Sequence, residues 1–410
     1  MTGCPVAAGY DPLDAATVLD PHTALRALRE ESPVLFMPDL GYYIVTRYDD
    51  VEAVLLDRES WSAANASSPL VAVCPAAQAV LNTGFKRVPT LNNADPPRHG
   101  LMRKSVLTCM TPRRLKALEP ALREYARNLV LTLREEPVVD FVEALAFPFP
   151  GFAAFSLLGF PEADTDKLKE WSRTRVLLTY GRLSEAEQVS VAGDVVSMWR
   201  YVEDFVAMRS AEPGDDLTSD LVRLAADKPE RLNEFDIVNI VYSMALAGHE
   251  TTCNTIGNGV RALLTYRDQW QALLDDESLI PNAVEEILRF DGPVINHRRL
   301  AKVDTEVGGF TIPADAPVML SFASADRDPA LFDDPDSFDV ARENAELHLA
   351  FGKGAHLCLG APLARIEVRI VLDLLRELTP DIALVADQEF IYSPNALFRG
   401  LQRLMVAPQG

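Results

Sequence analysis

The sequence predicts a mainly α protein with minor β, built as one domain around a long buried helix. Three observations predict it. Text between about residues 112 and 290 is dominated by helical periodicity, as in "RLKALEPALREYARNLVLTLREE" and "LTSDLVRLAADK". Within it, "LNEFDIVNIVYSMALAGHETTCNTIGNGVRALLTYRDQW" (232–270) has no proline and is apolar around most of its circumference at "IVYSMALAG", which marks burial rather than a surface amphipath. Runs of β type are short and lie toward the two ends of the chain. A helix of some 35 residues would run roughly 50 Å. The radius of gyration of a domain this long is only about 22 Å, so the helix would cross the molecule.

Taken in order, "GYYIVTRY" (41–48) reads as a strand, "VEAVLLD" (51–57) as a short amphipathic piece, and "ADPPRHG" (94–100) as the end of a proline-punctuated loop. After residue 292 come the β-type runs "RRLAKVDTEVGGFTI" and "APVMLSFAS", then irregular chain in "DRDPALFDDPDSFDVAR". The glycine-rich turn "FGKGAHLCLG" (351–360) leads into a helix, "APLARIEVRIVLDLLREL" (361–378). No stretch has linker composition and no period repeats, so a single domain over 1–410 is expected, with about residues 1–10 a loose N-terminal segment.

The formal net charge of −21 argues against a nucleic-acid partner or a membrane-surface role, both of which need basic patches to meet phosphates. The five cysteines are scattered, with no CxxC pair, so neither a disulfide framework nor a structural zinc is expected. No apolar run reaches the ~18 residues of a membrane span, and "MTGCPVAAGYDPLDAATVLD" has no basic region followed by an apolar one. A cytoplasmic location is the expectation.

The chemistry concentrates at Cys358. His356, two residues away, leaves a nucleophilic thiol pair open, and a small buried hydrophobe is the ordinary role of a cysteine. The glycines suggest a third use: Gly352, Gly354 and Gly360 permit positive φ and close backbone approach. Backbone N–H groups and the following helix N-terminus would stabilise negative charge on sulfur, as a thiolate ligand requires.

"FGKGAHLCLG" fills every position of Phe-Gly-x-Gly-x-His-x-Cys-x-Gly and resembles the haem-binding signature of the cytochrome P-450 family, the haem-thiolate monooxygenases. The resemblance implies the family's fold, a long central helix over a b-type haem (iron protoporphyrin IX), with Cys358 as axial thiolate to the iron, a ligand that favours O–O cleavage. Phe351, Gly352 and Gly360 would flank the cofactor. "EEILR" resembles the family's Glu-x-x-Arg pair, so Glu286, Arg289 and Arg342 would form a buried structural network. "AGHETT" resembles its oxygen-activating motif, which implies Glu250 and Thr251 as the catalytic pair; Gly248 would let the helix bulge there. "RHGLMR" resembles its His-x-x-x-Arg pair, so His99 and Arg103, with Arg299 or its neighbour Arg298, and His356, would meet the haem propionates.

The resemblance spans about residues 10–406 and is nearest the haem domains of self-sufficient bacterial members fused to a flavin and iron–sulfur reductase, although this chain carries no reductase domain. It implies O2- and NAD(P)H-dependent hydroxylation or oxidative O-dealkylation of a small hydrophobic or aromatic substrate. Electrons would come through a ferredoxin and reductase, or a fused flavin/iron–sulfur reductase. Arg113, Arg114, Lys116, Lys353 and Arg365 are candidates for a basic docking patch. The substrate pocket would draw on the loop at 62–90, helix residues near 171–183, Ser243, Leu246, Ala247, Val294, Ile295, Asn296, Ala396 and Leu397. A haem-thiolate peroxygenase using hydrogen peroxide and a non-catalytic haem sensor are the alternatives.

Overall fold

The computed structural model describes residues 4–7, 9–86 and 88–409. Helices dominate and the strands are short, in accord with the mainly α, minor β expectation. In chain order the helices are α1 (Ala15–Leu19), α2 (Pro21–Glu31), α3 (Tyr48–Leu56), α4 (Pro75–Leu81), α5 (Arg98–Cys109), α6 (Pro112–Arg134), α7 (Pro148–Leu158), α8 (Thr165–Tyr180), α9 (Glu185–Ala211) and α10 (Leu217–Asp227). They continue with α11 (Glu234–Thr265), α12 (Arg267–Asp275), α13 (Ile280–Asp291), α14 (Phe322–Ala325) and α15 (Ala361–Leu378). None of the described helices is long and apolar enough to cross a membrane.

The chain divides into two compact units. The first comprises Met1–Ala66, Glu124–Ala146 and Thr251–Gly410. It contains a five-stranded sheet of β1 (Val34–Met37), β2 (Tyr42–Val45), β3 (Trp61–Ser62), β5 (Asn296–Ala301) and β8 (Pro317–Ser321), in the order β1-β2-β8-β5-β3. β4 (Val139–Asp140), β9 (Ala383–Leu384) and β10 (Met405–Ala407) form a second sheet, and β6 (Thr305–Val307) with β7 (Phe310–Ile312) a hairpin. β2 runs parallel to β8, with Ile44 opposite Met319, while β5 runs antiparallel to β8, with Arg299 opposite Val318. Val34, Val45, Ala301, Val318, Leu320 and Phe332 fill one core beneath this sheet. Alternation along β5 sends His297 and Arg299 to one face and Asn296 and Arg298 to the other. Part of the expected loose N-terminal segment is tied down: Phe36 N–H donates to Pro5 O and Ala7 N–H to Phe36 O, both at 2.8 Å. Residues 1–3 and 8 of that segment lie outside the described residues.

The second unit, Ser67–Arg123 and Phe147–Glu250, is helical. Its α9 opens with a capping box in which Ser184 and Glu187 satisfy each other's backbone N–H groups. α4 packs on α9 through Ala77, Leu81, Val191, Ala192 and Val195.

α11 contributes to both units and is an unbroken 32-residue α-helix. The bulge expected at Gly248 is absent. The glycine has a packing reason instead: a Cβ there would come within 3.0 Å of the Ala154 Cβ on α7.

Candidate functional site

In the first unit, Cys358 is exposed, whereas Cys74, Cys109 and Cys253 are buried. Its backbone N–H donates to the Phe351 carbonyl at 2.9 Å, and Gly352 N–H donates to Leu349 O at 2.7 Å, folding 349–358 into a compact turn. Gly352 and Gly354 have φ of 65° and 70°, a region in which L side chains are strained. A Cβ at Gly354 would also meet the Leu55 carbonyl oxygen at 2.8 Å. Gly360 departs from expectation: its φ is −81°, and it serves as N-cap of α15 behind the thiol. Phe351 lies between two partners, with the Arg365 guanidinium 4.6 Å from its ring centre and the His348 ring 5.6 Å away. Arg365 and His348 both hold Glu285, at 2.7 and 3.2 Å, and they bring its carboxyl down to about 2 against the opposing effect of burial.

The Glu-x-x-Arg pair is the beam behind this turn. Arg289 grips Glu286 at 2.6 and 2.7 Å and donates to the carbonyls of Asp326, Pro335 and Ser337. Arg342 joins at 3.3 Å and spends its remaining N–H groups on Asp333, Asp334 and Ser337 carbonyls. The network thus orders the irregular loop 326–342. From there the Asp326 carboxyl accepts Leu349 N–H at 2.6 Å, which ties the loop to the cysteine turn.

On β5 the two arginines separate cleanly. Arg298, wholly buried, donates to Ala66 O at 2.9 Å and lies 3.3 Å from the Tyr42 hydroxyl. Arg299, on the opposite face, donates to His297 Nδ1 at 3.0 Å. Burial holds the His297 pKa well below its usual value, and the neighbouring positive charges of Arg299, His356 and Arg298 push the same way. A cluster of like-signed groups beside an exposed thiol suits an anionic group such as a carboxylate, so this donor set fits a haem bearing propionates.

The pocket candidates of this unit are brought together by backbone: Val294 bridges Phe398, and Ile295 N–H donates to Leu397 O at 2.9 Å. Ile295, Asn296, Ala396 and Leu397 are buried, and the Asn296 amide is occupied by Ala396 O at 2.8 Å. Val294 and Phe398 beside them are half-buried.

In the second unit, His99 is buried and Arg103 half-buried, four residues apart on α5. On α11, residues 236–242 and 252–260 are buried, yet Ser243, Leu246, Ala247, Glu250 and Thr251 are not. Ser243, Ala247 and Thr251 recur every four residues and so fall along one open stripe of the helix. Burial raises the Glu250 carboxyl to about 7, opposed by the charge of Arg173 on α8.

Sequence inspection passed over His249, the variable position of "AGHETT". It is fully buried between Phe147 and Phe155, at ring distances of 4.7 and 5.8 Å. Its Nδ1 lies 2.5 Å from Ser172 Oγ and its Nε2 3.0 Å from the Phe147 carbonyl. Burial takes its pKa down to about 4, so the neutral ring accepts from Ser172 and donates to Phe147. His297 was also missed, although its place two residues before Arg299 is a same-face signal. The expected basic docking patch is partly neutralised: Arg114 pairs with Asp220, Lys353 with Glu52 and Arg365 with Glu285.

Comparison with known proteins agrees with this architecture. The family model described as cytochrome P450 matches residues 198–378. A vitamin D(3) 25-hydroxylase from Pseudonocardia autotrophica is 37% identical, covering 94% of this chain and 93% of its own. The cytochrome P450 CREJ, solved in complex with (4-ethylphenyl) dihydrogen phosphate, is 38% identical with a TM-score of 0.94 over 98% of this chain and 99% of that one. An intact type IV self-sufficient cytochrome P450 monooxygenase is 37% identical with a TM-score of 0.95, over 100% of this chain and 54% of the other. A likeness this extensive in sequence and fold, around an exposed cysteine on a glycine-shaped turn, identifies the chain as a member of the cytochrome P450 family, a haem-thiolate monooxygenase.

Proposed function

We propose that the chain is a single haem domain that catalyses O2- and NAD(P)H-dependent hydroxylation or O-dealkylation of a small hydrophobic or aromatic substrate. The observation that carries the reading is the exposed Cys358 thiol on a turn braced by Phe351, Gly352 and Gly354. Cys358 would hold the iron, and Arg299, His356, His99 and Arg103 the propionates. When bound, the haem supplies dioxygen activation and transfer of one oxygen atom to the substrate.

The protein's own groups set the rest. Glu250, with a pKa of about 7, can both take up and release a proton near neutrality, as an acid–base residue must. Thr251, the next residue on α11, would pass that proton from the open stripe. Ser243, Leu246, Ala247, Val294 and Phe398 are small or apolar, which favours a modest apolar substrate; the alkylaryl ligand of CREJ supports the same class. A cytoplasmic setting and an electron donor of the ferredoxin–reductase type, free or fused, complete the proposal.

The test is the visible spectrum of the protein reduced with dithionite under carbon monoxide, beside Cys358→Ser. A strongly red-shifted Soret band in the parent and its absence in the variant are expected; the same band in both would overturn the assignment. Substrate-dependent NADH consumption with a reconstituted carrier then separates an enzyme from a sensor, and full activity with hydrogen peroxide alone would favour a peroxygenase.

A further inference from the structure

Three residues of the first unit, each from a different segment, meet around Phe351 in the cysteine turn. Glu285, on α13, takes two parallel hydrogen bonds of 2.7 Å from the Nε and Nη2 of Arg365 on α15. The same carboxylate lies 3.2 Å from His348 Nε2, and His348 Nδ1 accepts the Ala350 N–H at 3.1 Å. Burial lowers the pKa of that histidine against the pull of Glu285, so the ring is neutral and its one proton sits on Nε2, directed at the carboxylate. Glu285 thus orients both neighbours of the Phe351 ring, the Arg365 guanidinium 4.6 Å from its centre and the His348 ring 5.6 Å away. The Phe351 carbonyl in turn accepts the Cys358 N–H at 2.9 Å.

The Arg365 side chain is 40% exposed, so a single weak contact would leave it free to swing into solvent. The two-pronged grip of Glu285 fixes the guanidinium over the Phe351 ring instead. In that position the bonds from Glu285 raise the Arg365 pKa against burial, and the charges of Glu285 and Cys358 raise it further. The arginine is therefore within electrostatic reach of the sulfur. One guanidinium, one carboxylate and a neutral imidazole leave the group without net charge. We propose that Glu285 is a positioning residue acting through Arg365: it holds the cation beside Cys358, balances its charge, and so sets the reduction potential of the haem iron that Cys358 would ligate.

This deepens the haem-thiolate reading and rests on it. Positive charge near the iron favours its reduced state, which carries one electron more, and negative charge opposes it. Removing either partner therefore has a definite sign. Glu285→Gln leaves the cation unbalanced and raises the potential, whereas Arg365→Gln leaves the carboxylate unbalanced and lowers it. The charge of Arg365 is then used inside the protein rather than offered to a docked electron donor.

The test is the midpoint potential of the haem-loaded protein near neutral pH, measured by spectroelectrochemical titration on the parent, Glu285→Gln, Arg365→Gln and the double variant. Each is first checked for the red-shifted carbon monoxide band, so that failure of the haem assignment is seen separately. The single variants should shift the reduction equilibrium about threefold or more in opposite directions, up for Glu285→Gln and down for Arg365→Gln, roughly 30 mV each for one electron. The double variant should return to within about 1.5-fold of the parent. Loss of bracing alone would move both single variants the same way, with the double variant at least as far. That pattern, or four equal potentials, would overturn the inference. Absence of the band from the parent would overturn the haem assignment and this inference with it. If Glu285→Gln does not take up haem, Arg365→Lys decides: it keeps the charge and should stay nearer the parent than Arg365→Gln does, and equal shifts in the two would overturn the inference.

Discussion

Arg289 and Glu286 meet through two parallel hydrogen bonds of 2.6 and 2.7 Å, with neither side chain exposed at all. The pair is expensive to break because each partner left alone is a buried charge. Arg289→Leu should destabilise the fold by about 3–5 kcal/mol, read as a loss of cooperative thermal unfolding together with poor haem retention. Arg289→Lys should fall between, since an ammonium cannot reproduce the two-pronged geometry. A variant as stable as the parent would refute the assignment.

Glu250 gives a pH signature of definite sign. Its carboxyl is held protonated up to about 7, against an ordinary value of 4.5. The unfolded chain releases that proton near 4.5, so the group's contribution to stability falls as pH rises from 4.5 to 7 and its penalty is complete above 7. Glu250→Gln should therefore raise the melting temperature more at pH 8 than at pH 4, while lowering turnover by on the order of a hundredfold and flattening the pH–rate limb near 7. A limb that persists in the variant would assign it elsewhere.

His249 runs the other way. The buried ring stays neutral down to about 4, whereas the unfolded chain takes up a proton near 6.5. Its contribution is whole above 6.5 and is lost as pH falls toward 4. His249→Phe should cost about 1–3 kcal/mol near pH 7 by taking the ring's donor from the buried Phe147 carbonyl and its contact from Ser172, whose hydroxyl keeps the Lys169 carbonyl as partner. The same variant should lose less further stability than the parent between pH 6.5 and 4, in denaturant titrations at each pH.

Neighbouring arginines on β5 should respond differently. Arg298→Gln removes bonds to the Ala66 carbonyl and the Tyr42 hydroxyl and should lower thermal stability. Arg299→Gln leaves those bonds in place and should mainly weaken haem retention, measured by the rate of haem transfer to apomyoglobin. Equal haem loss from both would dissolve the distinction.

Much of this was legible because it is local. Helix 361–378 was bounded correctly from periodicity and the glycine turn before it. Glu286 and Arg289 pair as their three-residue spacing on one helix implies, and Arg342, 56 residues further on, joins them where the family resemblance placed it. What escaped is long-range. Nothing in "AGHETT" says that its histidine will meet Ser172, 77 residues earlier, and the packing of Gly248 on Ala154 looked like a hinge because sequence records no neighbour. Arg298 and Arg299 could not be ranked until the face of β5 was known.

Ser243, Ala247 and Thr251 sit on a helix whose backbone is continuous, between buried stretches at 236–242 and 252–260. Successive positions stand about 6 Å apart along the axis. Enlarging Ala247 would thus shorten the accessible face by one rung without disturbing the scaffold, and trimming Leu246 would widen it beside that rung. On the function proposed above, substrate range in descendants of this chain changes in discrete steps, one side chain at a time, while the residues proposed to hold the haem stay fixed.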